Sequence, residues 1–468
     1  IVALLGNLTG SSQFFSDDLF YNGVIGQSLR LSVGSDYKLD RQMVTPTSVT
    51  GTICTTSWWM KKGNGNLVTS FINCRDNQAS GNYAAYWTYA SDFGSNNSHQ
   101  FYNETNSINV GTNATVTPYR DVSAWYHVVI RYDSTQSTAS NRIRIYINGV
   151  NQVSTFATTN YIGQNAVDTF WNNAGEHLIL FGNGEDSGDS FDGYIAEVNW
   201  VDGLSLAPES FGELKNGVWI PVEYTGSYGL NGSRYTFSDS SDIGADSSGV
   251  GNHLDRVSNL SASDVVLDSP ENNFCTWNPL TIGAQGTLAE GNLKNTAFWS
   301  SDLSGNASTF FPESGKWYWE LRIDGAGTYP YIGITSQEKT NDTVNGGTFY
   351  NIAWRPNGTG VSSGSSLGTI TKENIPSFAD DAIISFALDV DARKLWVAEN
   401  NTYADSGDPA NGSGENASWT VDVDVSPFAM GYQSQGVGTI ANFGQDDTFA
   451  GAISSAGNTD SNGKGVFK

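Results

Sequence analysis

The stretch AWYHVVIRYDSTQSTASNRIRIYINGV, Ala124 to Val150, decides the fold. Within it Trp125, His127, Val129 and Arg131 alternate with Tyr126, Val128, Ile130 and Tyr132. One face is apolar and the other mixed, the period-two pattern of a half-buried strand. A polar loop from Asp133 to Asn141 turns the chain back, and Arg142, Arg144 and Tyr146 then alternate with Ile143, Ile145 and Ile147. Asn148-Gly149 supplies residues that tolerate positive φ in a tight turn. The segment therefore reads as a long antiparallel hairpin with a second turn at its end.

Working outward, helical periodicity is almost absent, and short alternating or apolar runs recur between Gly, Asn, Asp and Ser clusters. In the first half, strands are expected at 28–33, 52–60, 67–74, 83–89, 125–132, 142–147, 177–181 and 193–200, enough for a jelly roll. The second half opens on FFPESGKWYWELRIDG, Phe310 to Gly325, whose alternation puts Trp317 and Trp319 on one buried face. YPYIGIT (from Tyr329), IISFALDVDARKLWVAENN (from Ile383) and PFAMGYQSQGVGTIANFGQ (from Pro427) follow, and Trp396 joins the expected core. Between the halves, residues 218–280 hold few apolar runs but carry Trp219, Tyr224, Tyr228, Tyr235, Phe237, Phe274 and Trp277. That segment is expected to be an ordered connector packed on the domains.

The W-x-H-V-V-x-x-Y-D block at Trp125, the R-I-x-I-Y-I-N-G block at Arg142 and the D-G-x-I-A-E-V block at Asp192 arrive in the order of the laminin-G and concanavalin-A-like lectin family, which residues 4–212 resemble. The G-K-W-Y-W-E, Y-I-G-I, L-D-x-D-x-x-K-L-W-V-A-x-N and A-N-F-G-Q blocks of the second half resemble the SPRY family over residues 281–451. The connector, with GSYG-x-N-G and the ending N-N-F-x-T-x-N-P-L, resembles a segment of large structural proteins of tailed bacteriophages. Together these imply an all-β chain of two tandem antiparallel β-sandwiches, the first a concanavalin-A-like jelly roll. The expected boundaries are 1–217 for the laminin-G-like domain, 218–280 for the connector and 281–468 for the SPRY-like domain. Lectin-like domains often bind sugars or proteins at loops on one edge, sometimes with calcium. No compact Asp/Asn ligand spacing of a calcium loop stands here, so no metal and no cofactor are expected.

Composition narrows the function. The 468 residues carry 48 acidic against 23 basic side chains, a formal charge of −25, and this field repels a phosphate backbone. Nucleic acid is excluded as a partner. No apolar run approaches the roughly 20 residues of a membrane-spanning helix, so no membrane insertion is expected. Cys54, Cys74 and Cys275 are too few for a disulfide scaffold and read as buried free thiols. The chain opens at Ile1 without Met, which suits a piece of a longer or processed polypeptide. Sequons stand at Asn7, Asn103, Asn113, Asn306, Asn341 and Asn416, as chance provides in a chain this rich in Asn, Ser and Thr.

Concanavalin-like sandwiches also house glycosidases, which need two carboxylates about 5 to 10 Å apart. No Glu here is followed two positions later by Asp, as the E-x-D strand signature requires, and Glu185, Asp186, Asp189, Asp389 and Asp391 sit in turn contexts. Four histidines, at 99, 127, 177 and 253, show no zinc spacing, and no G-x-S-x-G elbow occurs. The chain is therefore expected not to be an enzyme. Binding is better supported, because aromatic rings stack on sugar faces while amides and carboxylates bond hydroxyls. Candidate ligand-binding residues are Tyr86, Trp87 and Tyr89 with Asn96 and Asn97, Trp171 with Asn172, and Trp354 with Arg355 and Asn357. The resulting expectation is a virion-surface structural protein such as a tail fibre, spike or capsid fibre. It would bind a host-surface glycan or protein, contact other virion proteins and form a homo-oligomer by analogy with fibres. A purely architectural decoration or cement protein and a polysaccharide-degrading glycosidase are the alternatives.

Overall fold

The computed structural model describes residues 2–3, 23–32, 37–47, 51–63, 69–75, 83–89, 98–103, 107–112, 121–181, 191–256, 259–281, 286–297, 304–325, 330–336, 351–363, 367–431 and 438–468. These form strands joined by turns and single 3₁₀ turns, with no α-helix among them. The chain divides into two compact units, Thr9–Glu271 and Ile1–Leu8 with Asn272–Lys468.

The first unit contains two eight-stranded antiparallel sheets. One runs Val150–Asn151, Ile143–Ile147, Trp125–Asp133, Ile53–Lys62, Gly193–Asp202, Ser28–Leu31 and Val265–Val266, with Ser233–Tyr235 paired beside the end of Gly193–Asp202. The other runs Phe156–Asn160, Ile108–Thr112, Ser98–Asn103, Tyr83–Tyr89, Thr69–Arg75, His177–Leu180, Leu39–Gln42 and Asp255–Arg256. Alternation puts Tyr126, Val128, Ile130 and Tyr132 of the opening hairpin inward, against Trp58, Phe71, Phe101, Trp171 and Trp200. Asn148, at φ 47°, and Gly149, at φ 77°, make the turn that the Asn-Gly pair predicts.

The stretch read as a connector is divided between the units. Residues up to Glu271 belong to the first and those from Asn272 to the second. Within the first unit, Ser233–Tyr235 and Val265–Val266 are strands of the sheet itself, paired with Val198–Trp200 and Ser28–Leu29.

The second unit has a ten-stranded sheet centred on Lys316–Asp324, Ile383–Asp389 and Lys394–Glu399, and a five-stranded sheet centred on Pro330–Thr335 and Ser426–Gly431. Trp319 stacks on Phe386 with ring centroids 5.0 Å apart, in a core shared with Trp277, Trp317, Trp354 and Trp419. Trp396 is also buried, but on the opposite face of its strand from Leu395 and Val397, where its indole donates to the Ser413 carbonyl at 2.8 Å. The three cysteines are buried free thiols. Asn103, Asn306 and Asn416 have no exposed surface, so those three sequons are unavailable to a glycosylating enzyme in this fold.

Candidate functional site

The two sheets of the first unit differ in their outward faces. On the sheet of Ile53–Lys62, Trp125–Asp133 and Gly193–Asp202, register puts Tyr194, Lys61 and Trp125 in one outward row. Ala196, Trp59 and His127 form the next, then Asn199, Ser57, Val129 and Tyr146. This mixed face would be wet in a simple half-buried strand, yet its residues are buried. Leu206, Phe211, Trp219, Tyr224 and Tyr228, with Ile25, Arg234 and Asp268, cover it. Lys61 Nζ meets Asp268 Oδ2 at 2.8 Å with neither side chain exposed, and Trp125 Nε1 donates to Asp268 Oδ1 at 2.9 Å. At the bulge in Gly193–Asp202, Glu197, at φ 50°, takes Arg234 Nε at 2.6 Å, while Tyr228 donates to Asn199 Oδ1 at 2.7 Å.

Trp219 seals the centre of this face. A methyl group at Gly212 would lie 2.6 Å from its Nε1, and one at Gly149 2.6 Å from its Cζ3, so the indole fits a slot that only glycine leaves open. Its N–H donates to His127 Nδ1 at 2.9 Å, which makes Nδ1 the acceptor. His127 Nε2 therefore carries the hydrogen and donates to Ser57 Oγ at 2.8 Å. A serine nucleophile needs the reverse arrangement, an imidazole lone pair facing the hydroxyl. Burial holds His127 neutral and pushes its pKa down to about 3. The pair is a structural staple.

The outward face of the other sheet is built differently. Asn160, Asn109, Tyr102, Ala85, Asn73, Ile179, Asp40 and Asp255 stand opposite one another on its eight successive strands. With strands about 4.8 Å apart, the row spans about 34 Å. Asn160 and Asp255 are exposed, and Asn109, Tyr102 and Asp40 are half-buried. Neighbouring positions extend it. Thr158 Oγ1 and Gln100 Nε2 donate to Asn109 Oδ1, and His177 Nδ1 meets Asp40 Oδ1 at 2.8 Å. Amides that donate and accept, carboxylates that accept and a tyrosine ring are the groups that hold sugar hydroxyls and the apolar faces of sugar rings.

The strand Tyr83–Tyr89 lies near the middle of this sheet, with Tyr86, Trp87 and Tyr89 opposite Phe101, Gln100 and Ser98. The side chains of those three residues, and the whole of Asn96 and Asn97, lie outside what the structure describes. Trp171 and Asn172 are corrected to core residues. Trp171 has no exposed surface and packs 4.8 Å from Phe101 and 4.9 Å from Trp200, ring centroid to centroid. Asn172, at φ 55°, donates to Asp202 Oδ1 at 2.7 Å, and Asn231 donates to Asn172 Oδ1 at 3.3 Å, in a buried polar knot. Trp354 is likewise buried, its indole donating to the Glu373 carbonyl at 2.9 Å. Arg355 lies half-buried, 4.8 Å above the Tyr331 ring, and exposed Asn357 accepts the Thr359 N–H to close a turn. None of these five joins the polar row.

The row itself escaped the sequence because its members come from eight separated strands. The same is true of Asp40 and Asp255, which stand directly opposite one another across neighbouring strands. Among the described residues, no group of three or more His, Cys, Asp or Glu is arranged to hold a metal, and no helix is long and apolar enough to cross a membrane.

Residues 38–209 match the Laminin_G_3 family of the concanavalin A-like lectin/glucanases superfamily. No curated protein matches the chain. Among solved structures, the SPRY domain of human HERC1 is similar at 17% identity and TM-score 0.28, covering 35% of this chain and 96% of its own. The TRIM65 PSpry domain is similar at 12% identity and TM-score 0.24, covering 36% of this chain and 91% of its own. The heptameric SAP-like pentraxin of Limulus polyphemus is similar at 15% identity and TM-score 0.27, covering 37% of this chain and 74% of its own.

Proposed function

We propose that this chain is a non-enzymatic recognition protein displayed on a virion, as a tail fibre, spike or capsid fibre, and that it binds a host-surface glycan through the outward face of the Leu39–Gln42, Thr69–Arg75, Ser98–Asn103 and His177–Leu180 sheet. The observation that carries this reading is the pair of accessible polar flanks of one row, Asn160, Asn109 and Tyr102 on one side and Asp40 and Asp255 on the other, with Asn73 and Ile179 buried between them. The match of residues 38–209 to the concanavalin A-like lectin/glucanases superfamily supports a saccharide as ligand, and the likeness of residues 218–280 to phage structural proteins supports the setting. The acidic surface suits neutral or cationic saccharides over anionic ones.

A glycan array probed with the full chain, followed by labelling of host cells and localisation of the chain on intact particles, tests it. Binding to a discrete set of saccharides with an outward position on the particle is expected. No saccharide bound and a location inside the particle would leave the architectural reading instead. Asp40 and Asp255 favour one rival, since opposed carboxylates are the apparatus of a retaining glycosidase. Incubation with the bound polysaccharide is expected to release no reducing sugar; release abolished by Asp40→Asn would replace binding with hydrolysis.

A further inference from the structure

In the second unit the strand Lys394–Glu399 breaks its own pattern. Leu395 and Val397 face the core, and period two puts Glu399 on the same side, directly opposite core residue Ile384. An apolar side chain belongs at that position. Glu399 instead lines a cavity of about 410 Å³, whose apolar wall includes Ile375, Phe378, Ile384 and Val397. That volume lies in the range of sites for small ligands, roughly 300 to 1,000 Å³.

The polar groups around the cavity share one sign. Glu399 and Asp405 are its ionisable carboxylates, and no Lys, Arg or His lines it. Asp405 Oδ2 accepts one hydrogen bond, from Asn416 at 3.3 Å. Glu399 makes no hydrogen bond or ion pair with any described residue, although it is only half exposed. Thr402 stands opposite Glu399 across the hairpin and lines the same edge. A half-buried carboxylate without a partner at the mouth of an apolar cavity costs solvation that folding does not recover, and a bound cation recovers it.

We infer that this cavity binds a ligand whose apolar stem ends in an ammonium or guanidinium group, with the stem on Phe378, Ile375 and Val397 and the charged head on Glu399. The chemistry is that of a free aliphatic amine or of a lysine or arginine side chain. It is independent of the polar row of the first unit, and either can fail without the other.

Titration of the full chain with n-butylammonium, n-butylguanidinium, N-acetyl-lysine methylamide, n-butanol and butanoate, followed by isothermal calorimetry or NMR shifts of the Phe378 ring, tests the assignment. The two cations and the capped lysine are expected to bind at least tenfold more tightly than butanol, and butanoate not to bind. Capped lysine binding more tightly than butylammonium identifies a partner polypeptide as the source, and the reverse order identifies a free amine. Glu399→Gln keeps the shape and is expected to abolish the preference for cations over butanol with an unchanged melting temperature. Phe378→Ala is expected to weaken cations and butanol alike. Equal binding of butanol and butylammonium, or cation binding unaffected by Glu399→Gln, overturns the inference.

Discussion

The outward faces of the two sheets in the first unit have similar alternating strands behind them and opposite fates. Trp125, His127 and Val129 on one sheet, and Asp40, Tyr102 and His177 on the other, all occupy the non-core side of their strands. The first group is sealed by Trp219, Asp268 and Arg234, whereas the second keeps exposed or half-exposed hydrogen-bonding groups on both flanks of its sheet, Asn160, Asn109 and Tyr102 on one side and His177, Asp40 and Asp255 on the other, with Asn73 and Ile179 buried between them. Alternation identifies the side of a strand that meets the core and leaves unspecified what lies on the other side. A sandwich with one face capped has one broad face left for recognition, so the cap indirectly selects the site.

The largest expected effect breaks the cap. Lys61→Ala or Asp268→Ala removes the ion-pair partner of a fully buried charge and is expected to cost about 3–5 kcal/mol in urea unfolding, while the double substitution Lys61→Met with Asp268→Leu recovers most of it. If single and double variants unfold alike, the pair does not hold the cap. Trp219→Ala is expected to cost about 3 kcal/mol, and Gly212→Ala to expel the same indole, visible as a red shift and added quenching of tryptophan fluorescence.

A third expectation concerns pH. His127 is neutral in the fold down to about pH 3, whereas an unfolded histidine binds a proton below about pH 6.5. The unfolded state therefore takes up more protons between those values, and this histidine's contribution is intact above about pH 6.5 and lost as pH falls toward 3. At pH 5 the loss is about 2 kcal/mol, at about 1.4 kcal/mol per unit. Stability measured by urea from pH 7 to 5 in wild type and in His127→Asn checks it; the variant should lose that much less, and equal slopes would show that His127 is not buried neutral.

Much of the fold is legible in the sequence. The Trp125 and Arg142 strands, the Asn148-Gly149 turn and the buried Trp317 and Trp319 follow from period two and turn chemistry alone. The site is less legible. Trp171 and Trp354 stand in Asn- and Pro-bearing contexts that look like loops, yet Trp171 sits in a turn that drops its indole into the core and Trp354 ends the buried strand Asn351–Trp354, a distinction made by tertiary packing and not by neighbours in sequence. The segment after Val218 lacks long apolar runs because it meets the sheets through short two- and three-residue strands and single anchors, Trp219, Tyr228, Arg234 and Asp268, spaced by turns. The row from Asn160 to Asp255 is assembled from eight strands by register, and no local signal gathers it.

The smallest stability effect belongs to that row and tests the central claim most directly. Tyr102→Ala and Asn109→Ala, at half-exposed positions, are expected to shift the melting temperature by no more than about 2 °C. The measurement is the affinity of the full chain, wild type and these two variants, for the saccharide selected on the array. A loss of tenfold or more in both variants with melting unchanged is the predicted result. Undiminished affinity in both variants would contradict the assignment of the open face as the recognition surface.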